Sequence, residues 1–211
     1  MVRLIRTGRG AMWAVLAFSL LALSHLIYAY MMAITLLVLF LFGLNQANVV
    51  PRFVRIGVVV VLTGLIASYM VVPFALGTEF LNASPYLQPE KYDSYGFVRV
   101  AGWLVSGDLL DHARLPVMSL LLLVGIVGAL LGRMRPALLA VVLLVVWVVI
   151  YAGRPALGPI ADLFPFSDGL LFHRFIGGVH LAAIMLIGVG GAVTWQLFAP
   201  HRAVWQTLAA A

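Results

Sequence analysis

Asp108, Asp111, His112 and Arg114 fall within seven residues, in the run Gly107-Asp108-Leu109-Leu110-Asp111-His112-Ala113-Arg114-Leu115-Pro116. On one helical turn, Asp108, Asp111 and His112 take positions i, i+3 and i+4 and share a face. Two carboxylates and an imidazole so placed can hold a divalent cation if another segment supplies a further ligand, or steer a sugar hydroxyl or a phosphate. The competing reading is structural: an Asp–Arg pair that caps the apolar span Leu115–Gly132. A second group, His173 and Arg174, stands just ahead of a long apolar run, where an arginine can grip phosphate oxygens bidentately or snorkel to lipid headgroups. His180 lies about two turns further on, in Gly177-Gly178-Val179-His180, and His25 follows Ser24 inside another apolar run. An ionisable side chain in such a run points to function, although the glycines beside His180 also suit close helix contact. The candidate substrate-binding set is therefore Asp108, Asp111, His112, Arg114, His173, Arg174, His180 and His25. No catalytic base and no resident cofactor or metal is assigned. With no cysteine in the chain, disulfides, thiolate metal sites and cysteine nucleophiles are excluded.

The elements that must position these groups are hydrophobic to an unusual degree. Of 211 residues, 64% are hydrophobic and 9% charged, and mean hydropathy is +1.12. Soluble domains carry about a quarter charged residues, so this chain cannot coat a soluble surface of its size. A soluble enzyme, a disordered tail and a nucleic-acid-binding module are excluded. The net charge of +6 fits arginines at the cytoplasmic ends of helices better than nucleic acid. The expected fold class is an all-α polytopic transmembrane helix bundle of about six spans. It forms a single integral membrane domain over residues 1–211, with short interfacial helices on the outer side.

A hydrocarbon core of about 30 Å needs about 20 helical residues. Ile56–Leu76, Leu115–Gly132, Pro136–Ala152 and Phe175–Ala199 fit that length. Ala11–Leu44 overshoots one span and is read as two, with a break between Ser24-His25 and Tyr30; a re-entrant pair or one long tilted helix is the alternative. Arg52/Arg55 and Arg133/Arg135 sit in very short connections free of acids, which marks those connections as cytoplasmic. Arg3, Arg6, Arg9 and Arg202 join them, and both termini are expected in the cytoplasm of a bacterial inner membrane. Lys91, Arg99, Arg114, Arg154 and Arg174 then lie outside. All seven acids, Glu79, Glu90, Asp93, Asp108, Asp111, Asp162 and Asp168, fall on the outer side as well. That asymmetry either follows from topology alone or places the chemistry outside. The first span follows three arginines and reads as an uncleaved anchor.

The longest polar segment is the outer loop from Gly77 to Arg114. Thr78–Tyr95 reads as irregular and holds a glycosylation-type triplet, Asn82-Ala83-Ser84. Phe97, Val100, Ala101 and Leu104 recur at helical spacing with Arg99 and Ser106 off the stripe. A short helix there either lies in the headgroup region with Trp103 as an anchor or packs on the bundle. The last outer loop, Gly153–Arg174, carries Arg154, Asp162, Asp168 and three prolines. Gly125, Gly128, Gly132, Gly188, Gly190 and Gly191 read as helix-packing surfaces, and Pro73 as a kink or end of the third span.

Three segments, LALSHLIYAY, YDSYGFVRVAGWLVSGDLLDHARLPVMSLLLLVGIV and LLFHRFIGGVHLAAIML, together resemble bacterial multi-span proteins of the 6-pyruvoyl-tetrahydropterin-synthase-related kind. These look like membrane proteins of the C-type glycosyltransferase fold. The resemblance covers Leu21–Leu186. It implies transfer of a sugar at the outer face from a lipid-linked donor on a polyprenyl phosphate, with membrane lipids and partner membrane subunits as further partners. That fold carries its acidic catalytic residue in the first outer loop, and here the turn from His25 to Tyr30 has no acid. The resemblance therefore implies either the C-terminal portion of a longer chain or a derivative without that chemistry. It carries to Asp108, Asp111, Arg114, His173 and Arg174 only a lipid-phosphate or sugar-binding surface. An assembly subunit without chemistry and a small transporter are the alternatives. The second is disfavoured by spans nearly free of polar residues at mid-depth.

Overall fold

The computed structural model describes residues 4, 7–80, 86 and 88–198. Of these, 83% are helical and none is in a strand, so the chain is all-α as composition demands. Arg3, Arg6, Arg202 and the Asn82-Ala83-Ser84 triplet lie outside the described residues. The chain divides into two compact units, Met1–Leu87 and Gln88–Ala211.

The first unit is built from α1 (Ala11–Ser24), α2 (Leu26–Leu41) and α3 (Val49–Leu76). The long apolar run breaks at His25, whose extended backbone (φ −166°, ψ 131°) ends α1. The imidazole Nδ1 then accepts the Ile27 N–H at 3.2 Å and caps α2. Arg52 Nη1 donates to the Phe40 and Phe42 carbonyls at 3.1 and 2.9 Å, satisfying acceptors that the end of α2 leaves open. The Arg55 guanidinium packs against Gly8. The start of α1 and the end of α2 therefore meet at the arginine-bearing end of α3, and α1–α2 is a helical hairpin with His25 at its tip. Val15 and Phe18 of α1, Leu36 of α2 and Val59 of α3 form the core of the unit. Helix α3 runs through Pro73 for one further turn, to a Gly77 N–H bond with the Pro73 carbonyl at 2.9 Å.

The second unit begins with α4 (Pro89–Asp93), α5 (Phe97–Ser106) and α6 (Asp108–Asp111). Helices α7 (Val117–Leu131), α8 (Arg135–Ala152) and α10 (Ile176–Phe198) carry its core. A tight turn at Gly132–Met134 makes α7 and α8 antiparallel. A short helix α9 (Arg154–Leu157) and three 3₁₀ turns lead back to α10. At the α7–α10 crossing the two backbones touch. A Cβ on Gly125 would run into the Leu186 carbonyl, and one on Gly190 into the Leu121 carbonyl. Gly128 meets Val193, whereas Gly188 and Gly191 face open space, so only part of the expected glycine surface packs. Gly178 lies against the Trp147 indole, and Trp147 stacks on Phe175 at 6.0 Å between centroids. The small residues before His180 are thus used for close contact between α8 and α10.

Against the six spans expected, three helices among the described residues are long and apolar enough to cross a membrane: Val49–Leu76, Arg135–Ala152 and Phe172–Phe198. The other three expected spans are α1, α2 and α7, with 14, 16 and 15 residues. At 1.5 Å per residue they reach about 21, 24 and 22 Å, short of a hydrocarbon core of about 30 Å. The break at His25 and the caps at Pro116 and Gly132 cut them. Only 17% of the apolar window in α3 is buried, against 56% in α8. The first unit thus leaves a long hydrophobic face uncovered by protein, far beyond the scattered apolar residues of a water-exposed surface.

Candidate functional site

The Asp108–Arg114 run does not form the face that its spacing predicts. Helix α6 ends at Asp111, and His112 and Ala113 turn into the left-handed region (φ 49° and 60°). His112 is thereby turned off the face and exposed. Asp111 instead reaches over Pro116 to the start of α7. Its Oδ1 accepts the Met118 N–H at 2.9 Å, and its Oδ2 accepts the Ser119 N–H at 3.0 Å and the Ser119 hydroxyl at 2.5 Å. The Val117 N–H bonds to the Leu115 carbonyl, and the N-cap Pro116 has no N–H, so the three open donors of the helix start are satisfied. The Ser119 hydroxyl above all, then the two backbone donors, hold the Asp111 carboxyl below the usual carboxylate range. The capping alternative is the one realised, by Asp111 alone; Arg114 is exposed and joins only through its backbone N–H to the Asp111 carbonyl.

Asp108 stays exposed and accepts the Ser106 hydroxyl at 2.9 Å. Among the described residues no three of His, Asp or Glu converge as metal ligands. The divalent-cation alternative loses its geometry, because Asp111 serves the cap and His112 points elsewhere. His180, half-buried in α10, meets the Leu109 carbonyl at 3.4 Å through Nε2 and ties α10 to α6. His173 bonds through Nδ1 to the Lys91 carbonyl, holding the start of α10 to α4, while Arg174 is exposed. His25 belongs to the first unit, where it caps α2.

The organised centre of the second unit lies in residues that spacing alone does not nominate. The segment Asp93–Gly96 crosses the C-terminal end of α8. The Ser94 hydroxyl donates to the Tyr151 carbonyl and the Gly96 N–H to the Ala152 carbonyl, the latter at 2.9 Å. Two of the four acceptors that a helix end leaves open are closed in this way. Ser94 sits at φ 68°, ψ −159°, a region almost reserved for glycine. Gly153 has φ 76°, and a Cβ there would collide with the Asp93 carbonyl.

Arg154, immediately after Gly153, gathers the surrounding loops. Its Nε pairs with Asp93 at 3.3 Å, and Nη1 pairs with Asp162 at 3.3 Å. Nη2 donates to the Ser167 carbonyl. The guanidinium carbon lies 5.2 Å from the Phe172 ring centre and 5.9 Å from that of Tyr92. Arg99 has a similar aromatic seat, 5.4 Å from Tyr95 and 5.1 Å from Trp103. Those two rings meet edge to face at 4.8 Å.

No family model, curated protein or solved structure matches the chain.

Helix α5 packs through Val100, which is fully buried, against α6 and α8. The helix packs on the bundle by this one face, while Val98 and Val105 on the opposite face are exposed. Trp103 faces Tyr95 and Arg99 within the protein. The repeated aromatics in Tyr92-Asp93-Ser94-Tyr95-Gly96 and the Gly153-Arg154 pair at the end of an apolar helix were the available signals for this centre.

Proposed function

We propose that the chain is an integral membrane protein whose outer end receives a lipid-linked sugar, as in the glycosyltransferase-like proteins its segments resemble. The helices α3, α8 and α10 cross the bilayer. The shorter α1 and α2 of the first unit and α7 of the second cross where the membrane is locally thinned. The ends bearing Arg9, Arg52, Arg55, Arg133 and Arg135 face the cytoplasm of a bacterial cell. Lipid-facing burial is supported by the uncovered apolar length of α3.

The observation that carries the chemical reading is how the four carboxylates Asp93, Asp108, Asp111 and Asp162 are used. Asp111 is committed to a helix cap, and Asp93 and Asp162 to Arg154. Asp108, exposed beside α5, is held only by the Ser106 hydroxyl. In an inverting transfer, an acceptor hydroxyl oxygen bonds to the sugar C1. The bond from C1 to the phosphate oxygen breaks, polyprenyl phosphate leaves with the electron pair, and the hydroxyl proton passes to Asp108. Wild-type proteoliposomes given a polyprenyl-phosphate-linked sugar and an acceptor should liberate polyprenyl phosphate. Asp108→Ala should slow this by about a hundredfold or more, as for loss of a general base. Unchanged transfer removes that role from Asp108.

The structural use of Asp111, Asp93 and Asp162 also favours a second reading, an assembly subunit without chemistry. A wild-type chain that transfers nothing and copurifies with a membrane partner supports that reading.

A further inference from the structure

We propose that Arg99, seated on Tyr95 and Trp103, is the phosphate-contacting residue of a lipid site along α5. The inference rests on the reading of this end as membrane-facing. It goes beyond that reading by placing the phosphate on a residue outside the Asp108–Arg114 and His173–Arg174 groups.

Two arginines of the second unit share an aromatic seat and differ in what their donors meet. Arg154 and Arg99 each lie over two aromatic rings within 6 Å, a distance at which the ring quadrupole attracts a cation. Arg154 spends its fork on Asp93, Asp162 and the Ser167 carbonyl. Among the described residues no carboxylate lies within ion-pair distance of Arg99, and its side chain is exposed. Its rings hold the guanidinium without using its N–H donors. A planar fork with open donors matches phosphate oxygens.

The surroundings of that fork select a lipid. Val100 is buried and fixes the rotation of α5, with Trp103 and Leu104 half-buried on the same side. The 100° step of a helix then aligns Val98, Gly102 and Val105 on the opposite face. Val98 and Val105 are 86% and 89% exposed, and nothing lies within 4 Å of a Cβ on Gly102. Arg99 stands between this bare apolar stripe and the aromatic seat. One edge of the helix thus offers a cation and the next offers aliphatic surface, which together fit a phosphate joined to a hydrocarbon chain. Two sources share that chemistry, the headgroup of an anionic bilayer lipid and a polyprenyl phosphate.

The absence of cysteine permits a direct test. Val105→Cys in the full chain is labelled with an environment-sensitive fluorophore and placed in phosphatidylcholine nanodiscs. Polyprenyl phosphate, phosphatidylglycerol, uncharged polyprenol and inorganic phosphate are then titrated separately. Saturable emission change with at least one lipid phosphate is expected, and none with polyprenol or inorganic phosphate at the same concentration. Arg99→Gln should weaken the response about tenfold or more, the scale of one charge-assisted contact. Arg99→Lys should fall between, since it keeps the charge but loses the fork. Thermal unfolding of each variant confirms that it folds. Equal titrations of wild type and Arg99→Gln, an equal response to polyprenol, or no response to either lipid phosphate would overturn the site. If polyprenyl phosphate binds without regard to Arg99, the site fails while the lipid-linked reading stands. If phosphatidylglycerol alone binds through Arg99, the site stands and the lipid-linked reading fails.

Discussion

The Ser119 hydroxyl donates to the Asp111 carboxylate at 2.5 Å across the turn that precedes α7. The same carboxylate accepts two backbone N–H groups, so one side chain closes a helix start where Pro116 has no hydroxyl or carboxylate to offer. Replacing Asp111 by Asn leaves one oxygen to accept and turns an NH₂ group toward donors. Asp111→Asn should therefore lower the thermal midpoint measured by circular dichroism at neutral pH. Asp108→Asn, which touches only Ser106, should leave it nearly unchanged. Equal losses from the two would contradict the cap.

The cap also sets a pH dependence. The folded carboxyl of Asp111 lies below its ordinary value of 3.8, chiefly through the Ser119 hydroxyl. Its contribution is complete above the unfolded carboxylate range and is lost as pH falls through the depressed folded value. Wild-type stability should decline over that acid window, and Asp111→Asn should lack that part of the decline. Parallel acid titrations of the two proteins by thermal midpoint check it.

The α7–α10 crossing depends on two glycines and spares two neighbours. A methyl on Gly125 or Gly190 meets a carbonyl of the opposite helix, and backbone cannot yield as a flexible side chain can. Gly125→Ala and Gly190→Ala should each cost about 1–3 kcal/mol or more, the range for overpacking. Gly188→Ala and Gly191→Ala, with open space around them, should stay within about 0.5 kcal/mol. The four variants can be ranked in one set of unfolding curves, and a loss at Gly188 matching that at Gly125 would place the crossing elsewhere.

What could be read from the residues alone follows the range of the interactions. The His25 break was legible, because a polar pair interrupts an apolar run and the imidazole caps its own neighbour. The all-α class followed from composition. Helix length was less legible: hydropathy extends across Leu115–Gly132, whereas the cap at Pro116 and the turn at Gly132 leave α7 with 15 residues. The role of Asp111 hinged on left-handed backbone at His112 and Ala113, which no spacing rule reveals. Arg154 falls in a polar loop where nothing in the sequence singles it out, since its partners Asp93 and Phe172 come from separate segments. The seat of Arg99 needed Tyr95, which lies outside the helix.

Ser94 holds an unfavourable backbone conformation for the sake of one bond. Its φ of 68° with ψ −159° costs about 1–3 kcal/mol for a residue with a side chain, and its hydroxyl satisfies the Tyr151 carbonyl. Ser94→Ala keeps the strain and loses the bond, so it should destabilise by about 1–2 kcal/mol. Ser94→Gly loses the bond and relieves the strain, so it should be milder. Unfolding curves that rank Gly below Ala would show that Ser94 is not strained.

Arg154 should prove the most consequential charge of the second unit, and by geometry more than by ion pairing. Asp162 is 70% exposed and Asp93 47%, so each pair is of the solvent-screened kind worth about 0–1 kcal/mol. The arginine itself is only 21% exposed and also holds the Ser167 carbonyl and the Phe172 and Tyr92 rings. Asp162→Asn should therefore cost less than about 1 kcal/mol. Arg154→Gln removes every contact at once and should loosen the loop from Gly158 to Phe172. Arg154→Lys can keep one carboxylate but neither the fork nor the paired donors, and should fall close to the Gln variant. Hydrogen exchange is the decisive readout, because a local anchor shows itself locally. Faster exchange is expected from Gly158 to Phe172 and at Asp93–Gly96, with exchange in α7 unchanged. Uniform acceleration through α7 and α8 would mean that Arg154 supports the whole unit rather than its outer loops.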